Sequence, residues 1–236
     1  MWGKTLAAPA VRRFSQLLDA GGGRPSAVWD RRLLESAGFV AVPSMGSIVP
    51  GWVLLIPKRD VFSFRALTAA ELVEARRLVE QLSATLSESF GPVSIFEHGA
   101  SRSGSVIGCG VDHAHLHLVP LKVDLLSAAI ADKSLRWHAL SHWSDFPQEV
   151  REGDEYLLVA DSTGKAYVSD AAPPTGQYFR KVVASLLGRP AHWDYRAYPF
   201  AENAEATLRL FGNGNRLLLA DAPDGAGSGS TSDLRA

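Results

Sequence analysis

The chain has 236 residues, 46% hydrophobic and 21% charged, with a net charge of −1. It is long enough for a substantial core, and its charge exerts no global pull toward nucleic acid or an anionic membrane. One cysteine, Cys109, excludes an internal disulfide framework, and no apolar run approaches the ~20 residues that span a bilayer, so a cytoplasmic chain is the expectation.

Residues 1–26 read as a flexible segment in which Val11 to Ala20 fits one short helix, uncoupled from the rest by Gly21-Gly22-Gly23. No secretory signal is visible there, because Pro9 and the pair Arg12-Arg13 break the required apolar run. Phe39-Val-Ala-Val42, bounded by Pro43-Ser44-Met45-Gly46, predicts a strand and turn, and Trp52-Val-Leu-Leu-Ile56 completes a hairpin. The strongest helix is Thr68 to Phe90. Thr68-Ala-Ala-Glu71 is a capping box, in which each side chain satisfies an orphan backbone N–H. Leu72, Ala75, Val79, Leu82 and Leu86 recur at spacings of three and four, forming one buried stripe that ends at Gly91-Pro92.

Val93 to Glu97 is a further strand, followed by a small-residue loop from Gly99 to Gly110. Val111 to Val119 is a strand closed by Pro120, and Asp124 to Asp132 reads as helical. Ser134 to Glu149 has no clear period. Tyr156 to Ala160 and Ala166 to Ser169 flank Gly164 as a second hairpin, and Gln177 to Leu187 is an amphipathic helix ended by Gly188 and Pro190. Asp221 to Ala236, rich in Gly, Ser and Asp, reads as disordered. Strands with interspersed helices, lacking strict alternation, predict an α+β fold with a largely antiparallel sheet.

His113-Ala-His115-Leu-His117-Leu-Val119 carries the chemistry. Side chains alternate faces along a strand, so the three histidines share one face while Ala114, Leu116 and Leu118 cover the other. Three imidazoles buried without partners would be costly, which makes their face polar, wet or ligand-bound. Direct metal chelation is one reading. Histidines two apart are roughly 6.6 Å apart at Cα, so all three can hardly meet one ion. A metal would need His98 or Cys109 beside His113, an irregular set. A divalent cation such as Mg or Zn is therefore compatible with the site but not required by it. Phosphoryl chemistry fits better. A neutral imidazole with a pKa of about 6.5 is a good nucleophile near pH 7, and a covalent phosphoramidate splits one hard step into two. Flanking histidines can then hydrogen-bond the phosphate oxygens or protonate the departing group.

Residues 113–119 resemble the signature of the histidine triad (HIT) family, His-φ-His-φ-His-φ-φ with φ apolar, at every position. Ile48-Val-Pro-Gly-Trp-Val-Leu-Leu-Ile-Pro-Lys-Arg59, then Phe64 and Leu67 before the long helix, are similar to that family's strand, basic turn and helix. The resemblance covers about residues 36–121. It implies a HIT-like fold, a mainly antiparallel sheet with helices packed mostly on one side, as a catalytic domain over residues 27–149. It implies His115 as the nucleophile toward the α-phosphate of a nucleotide, with His113 and His117 assisting. The implied reaction is hydrolysis of nucleotide phosphoric anhydrides or phosphoramidates, such as dinucleoside polyphosphates, as in diadenosine polyphosphate hydrolases. A nucleotidyltransferase or phosphorylase using the same intermediate is an alternative, and a low-turnover nucleotide- or RNA-binding module is another. A nucleotide is thus the expected partner; nucleic acid enters only through the last alternative. Many members dimerise, which leaves a homodimer open. Residues 150–220 read as an extension packed on the core. There Pro-Thr-Gly-Gln-Tyr-Phe-Arg-Lys181, Trp193-Asp-Tyr-Arg196 and Tyr198-Pro199 resemble, more weakly, splicing-associated relatives.

Candidate nucleotide or phosphate ligands are Ser44 in the first turn, Lys58 after the second strand, and Arg102, Ser103 and Ser105 in the small-residue loop. Backbone N–H groups and a guanidinium there could wrap phosphates, although a solvated surface loop is an equal reading. Trp52 stands where many members carry a further histidine, and it offers a stacking or packing surface. Glu97 stands near where several hydrolases carry glutamine; it either faces away from phosphate or binds the base, ribose or a cation. Gln177, Arg180 and Lys181 share one helix turn, which either reaches a ligand or forms the helix's solvated side.

Overall fold

The structure, a computed structural model, describes residues 14–18, 27–108, 111–170 and 176–212. The disordered tail expected from residue 221, most of the N-terminal segment and Cys109 lie outside the described residues.

Among the described residues the chain forms eight strands and five α-helices. A short helix α1 (Ser15–Leu18) precedes β1 (Leu34–Glu35), β2 (Phe39–Pro43) and β3 (Val53–Pro57). Helix α2 (Ala69–Phe90) carries the expected capping box, with Thr68 accepting from the Glu71 amide and the Glu71 carboxylate accepting from that of Thr68. Then come β4 (Val93–Gly99), β5 (Leu116–Pro120), α3 (Leu125–Ile130) and β6 (His138–Leu140). The chain continues through β7 (Tyr156–Ala160), β8 (Ala166–Ser169), α4 (Tyr178–Leu186) and α5 (Ala201–Gly212). Every pairing is antiparallel, in the order β1-β2-β3-β5-β4-β7-β8-β6. The α+β class and HIT-like sheet expected from the sequence are present. The second hairpin, β7–β8, joins that same sheet along β4.

Both faces of the sheet are buried, which is why its strands read as continuous apolar runs. On one face Leu116 and Leu118 meet the α2 stripe of Ala75, Leu78, Val79, Leu82 and Leu86, with Phe211 of α5 added. On the other face Val119, Phe96 and Leu54 meet Leu125, Leu126 and Ala129 of α3 and Phe179, Val183 and Ala184 of α4. The expectation of helices mostly on one side therefore needs correcting in one detail. The longest helix lies on one side, but α3 and α4 cover much of the histidine face. That cover converts an open polar surface into an enclosed site.

Two local expectations also change. The ladder of β5 starts only at Leu116, so His113 and His115 sit on the extended approach to it. There the Ala114 amide donates to Val61 rather than to a neighbouring strand. The aperiodic stretch 134–149 contains the edge strand β6 and a 3-10 turn over Trp143–Gln148. Helix α5 was not apparent in the sequence, although Ala204, Thr207 and Phe211 repeat at helical spacing and form its buried side.

Candidate active site

Strand pairing fixes the centre of the site. His117 lies opposite Leu54 of β3 and opposite Phe96 of β4. The Phe96 ring stacks on its imidazole, centroids 4.3 Å apart and planes within 16°. The alternation predicted for this strand places Ala114, Leu116 and Leu118 in the α2-side core, and the rings of His115 and His117 together on the opposite face, 4.9 Å apart. These two rings open into a cleft that Ser44, His98, Arg180 and Phe14 also line.

Protonation states follow from partners that can only donate or only accept. His115 Nδ1 lies 2.9 Å from the His113 carbonyl oxygen. A carbonyl accepts only, so Nδ1 carries the hydrogen and Nε2 carries the lone pair. His117 Nδ1 lies 2.9 Å from Trp52 Nε1, and an indole N–H donates only. His117 is therefore the opposite tautomer, with Nε2 protonated. Burial drives its pKa well below the usual histidine value, and the neighbouring His115 adds to the effect, so it remains a neutral donor. His113 Nε2 faces the Pro57 carbonyl at 2.8 Å, and its Nδ1 lies 3.5 Å from the Asp60 carboxylate. The middle ring is thus a nucleophile in form, and the third ring offers an N–H to an oxyanion.

Helix α4 supplies a buried charge to the cleft. Of the two readings of Arg180, the solvated one fails, for the residue is 4% exposed. Its guanidinium lies 4.7 Å from the Trp52 ring centroid, and it donates to the carbonyls of Trp193 and Gly46. Gly46 has φ +71°, and a Cβ there would lie 2.6 Å from the guanidinium, so only glycine permits the approach. The available signal was Ala184, buried one helical turn beyond Arg180. An arginine that close to a buried stripe must bring partners with it. Phe14 of the N-terminal segment lies edge-on to His113 and His115, at 5.9 and 5.7 Å between ring centroids.

The other sequence candidates divide. Ser44 reaches the cleft, where its hydroxyl donates to the Met45 carbonyl. Trp52 is fully buried behind His117 rather than exposed to stack on a base. Lys58 pairs with Glu35 at 2.8 Å, away from the cleft. The small-residue loop is tied down by acids. Ser103 and the Gly104 amide donate to Asp112, and Ser105 donates to Glu155. Arg102 is exposed on that loop and does not line the cleft. Glu97 points to the α2 side, where it accepts from the Phe64 amide and the Tyr156 hydroxyl. Lys58, Arg102, Ser103 and Ser105 are therefore corrected from phosphate ligands to structural or solvated residues, and of the two readings of Glu97 it is the one facing away from phosphate that holds. His98 Nε2 accepts from the Phe179 amide and His113 Nε2 serves Pro57, while Cys109, the third member of the irregular metal set, lies outside the described residues. Among the described residues no group of three or more His, Cys, Asp or Glu side chains could hold a metal.

Trp52→Phe isolates the indole donor. The ring packing stays, but His117 loses the partner that selects its tautomer. The expected result is a five- to tenfold drop in turnover, about the worth of one net hydrogen bond of 1 kcal/mol. The ¹⁵N resonances of His117 should move toward those of mixed tautomers, a change that altered packing alone would not produce.

The HIT domain family model matches residues 28–123. The bis(5'-nucleosyl)-tetraphosphatase (asymmetrical) of Schizosaccharomyces pombe is 30% identical over 146 residues, covering 59% of this chain and 67% of its own length. The bis(5'-adenosyl)-triphosphatase of Dictyostelium discoideum is 30% identical over 82 residues, 35% of this chain and 54% of its own. Yeast Ap4A phosphorylase Apa2 in complex with Ap4A superposes with a TM-score of 0.41 at 12% identity, covering 83% of this chain and 81% of that one. The chain belongs to the histidine triad family.

Proposed function

We propose that the protein hydrolyses dinucleoside polyphosphates, or related nucleotide anhydrides and phosphoramidates, through a nucleotidyl-His115 intermediate. The observation that carries this reading is the hydrogen bond from His115 Nδ1 to the His113 carbonyl, which leaves Nε2 as the nucleophilic nitrogen in the cleft. Nε2 bonds to the α-phosphorus, and the bridging P–O bond breaks, releasing the remaining nucleoside polyphosphate as an anion. Positive charge appears on the His115 ring as this bond forms, and the His113 carbonyl already accepts the Nδ1–H that shares it. The His117 Nε2–H meets charge on the phosphoryl oxygens. Water then forms the new O–P bond, the Nε2–P bond breaks, and the water proton passes to solvent. Both curated relatives are named as phosphatases, which supports water as the acceptor.

Product analysis tests the acceptor. Turnover of Ap4A in H₂¹⁸O should give AMP with one ¹⁸O, and added phosphate should not change the products. ADP formed only when phosphate is present would make the enzyme a phosphorylase instead.

A further inference from the structure

The cleft holds a fourth histidine outside the triad. We infer that His98 contacts the reacting phosphoryl group, its Nδ1–H holding a non-bridging oxygen of the phosphorus that His115 attacks. This rests on the nucleotidyl-transfer reading above.

His98 lies on β4, paired with Leu157 of β7, and its ring shares a face with Phe96. Its Nε2 accepts the Phe179 amide at 3.1 Å. A backbone amide can only donate, and a neutral imidazole has one donor and one acceptor, so Nδ1 must bear the hydrogen. His98 is 5% exposed, and its Nδ1 has no hydrogen-bond partner among the described residues. Buried donors almost always have a partner, so one without any is a position prepared for a ligand atom. The ring lines the same cleft as His115, His117 and Arg180. It stands 6.1 Å from the His117 ring and nearly perpendicular to it, at 88°. Two neutral N–H groups so arranged can converge on different oxygens of one tetrahedral phosphoryl group. Burial holds His98 neutral, with a pKa of about 3, so it donates without giving up a proton as charge builds on the oxygens.

The ring also has a structural duty, because Nε2 caps the first turn of α4 where Gln177 makes no side-chain cap. The two duties belong to different nitrogens, and two variants separate them. His98→Gln places an amide oxygen near the Nε2 position and nothing at Nδ1. His98→Asn places an amide N–H₂ near Nδ1 and nothing at Nε2.

In the full-length chain, His98→Gln should keep a near-native Tm and lose about 10²- to 10³-fold in single-turnover formation of AMP from Ap4A, the usual cost of one oxyanion donor. His98→Asn should show the lower Tm and retain more of the rate. The reverse ranking, or equal rates for both variants and the parent, would overturn the inference. Titration of the unmutated protein with AMP, followed by imidazole ¹H–¹⁵N spectra, tests the contact apart from turnover. If the parent does not cleave Ap4A, the proposed function fails and the titration alone decides. A His98 Nδ1–H resonance that shifts with AMP supports the contact. One that stays put while His115 and His117 shift overturns it, and an absence of AMP binding overturns both readings.

Discussion

His115→Asn is expected to lower turnover of a dinucleoside polyphosphate by about 10⁴- to 10⁶-fold, the scale on which enzymes lose rate with their nucleophile. Asparagine keeps an N–H close to the Nδ1 position, so the bond to the His113 carbonyl can survive. What it lacks is an unprotonated ring nitrogen facing the cleft. His115 is only partly buried and forms no part of either hydrophobic core, so Tm should change little. Because the substitution removes nucleophilicity but not the surrounding donors, AMP affinity should stay within about tenfold, the equivalent of 1.4 kcal/mol. Measuring kcat, Tm and AMP affinity together separates a chemical defect from a folding defect.

The second large effect concerns stability against pH. Glu97 is 1% exposed, and burial pushes its pKa up to about 8, against two opposing hydrogen bonds from Tyr156 and Phe64. Its folded pKa lies above its unfolded one. Its contribution is therefore complete below pH 4.5 and is lost as pH rises toward 8. His98 and His117 behave oppositely, because burial depresses both folded pKa values. Their contribution is present above about pH 6.5 and is lost as pH falls, and His142 shifts the same way. Between about pH 4.5 and 6.5 the two buried histidines together outweigh the single carboxyl group. Stability should then peak near pH 6.5. From there to about pH 8 the Glu97 contribution costs about 2 kcal/mol, at about 1.36 kcal/mol per unit. Glu97→Gln keeps an acceptor for the Phe64 amide and cannot ionise, so it should flatten the alkaline side and steepen the rise between about pH 4.5 and 6.5, where Glu97 no longer opposes the histidines. Chemical denaturation from pH 5 to 9 reads this directly. An alkaline slope that persists in Glu97→Gln would place its origin elsewhere.

What the sequence disclosed follows the range of the interactions. The period-two alternation from Ala114 to Leu118 predicted which face each of these side chains would take, because successive residues of an extended chain point to opposite sides. The capping box at Thr68 and Glu71 marked the start of α2 for the same local reason. The turn at Gly164 likewise announced its hairpin. Glu97 was harder. Its alternation with Phe96 and His98 pointed it away from the histidines, but its partners, Phe64 and Tyr156, lie 33 and 59 residues away. The loop at 99–110 stayed open between a phosphate cradle and a surface loop in the sequence, because the acids that hold it, Asp112 and Glu155, are not marked by any local pattern. Arg180 and His98 were legible only as possible ligand contacts, because the docking of α4 onto the sheet is what carries Arg180 to the cleft and sets the Phe179 amide on His98. Trp52 was read as a stacking or packing surface; it packs, and the strand pairing also turns its indole N–H onto His117, which the sequence did not announce.

All of this chemistry requires that phosphorus become bonded, for a moment, to one particular nitrogen of the chain. Mass spectrometry of protein quenched in acid-free denaturant during turnover of Ap4A measures that bond. A peptide carrying one adenylyl group at His115 is expected, present in the parent and absent in His115→Asn. Rapid cleavage of Ap4A with no adduct at any time point, or an adduct on a different residue, would contradict it.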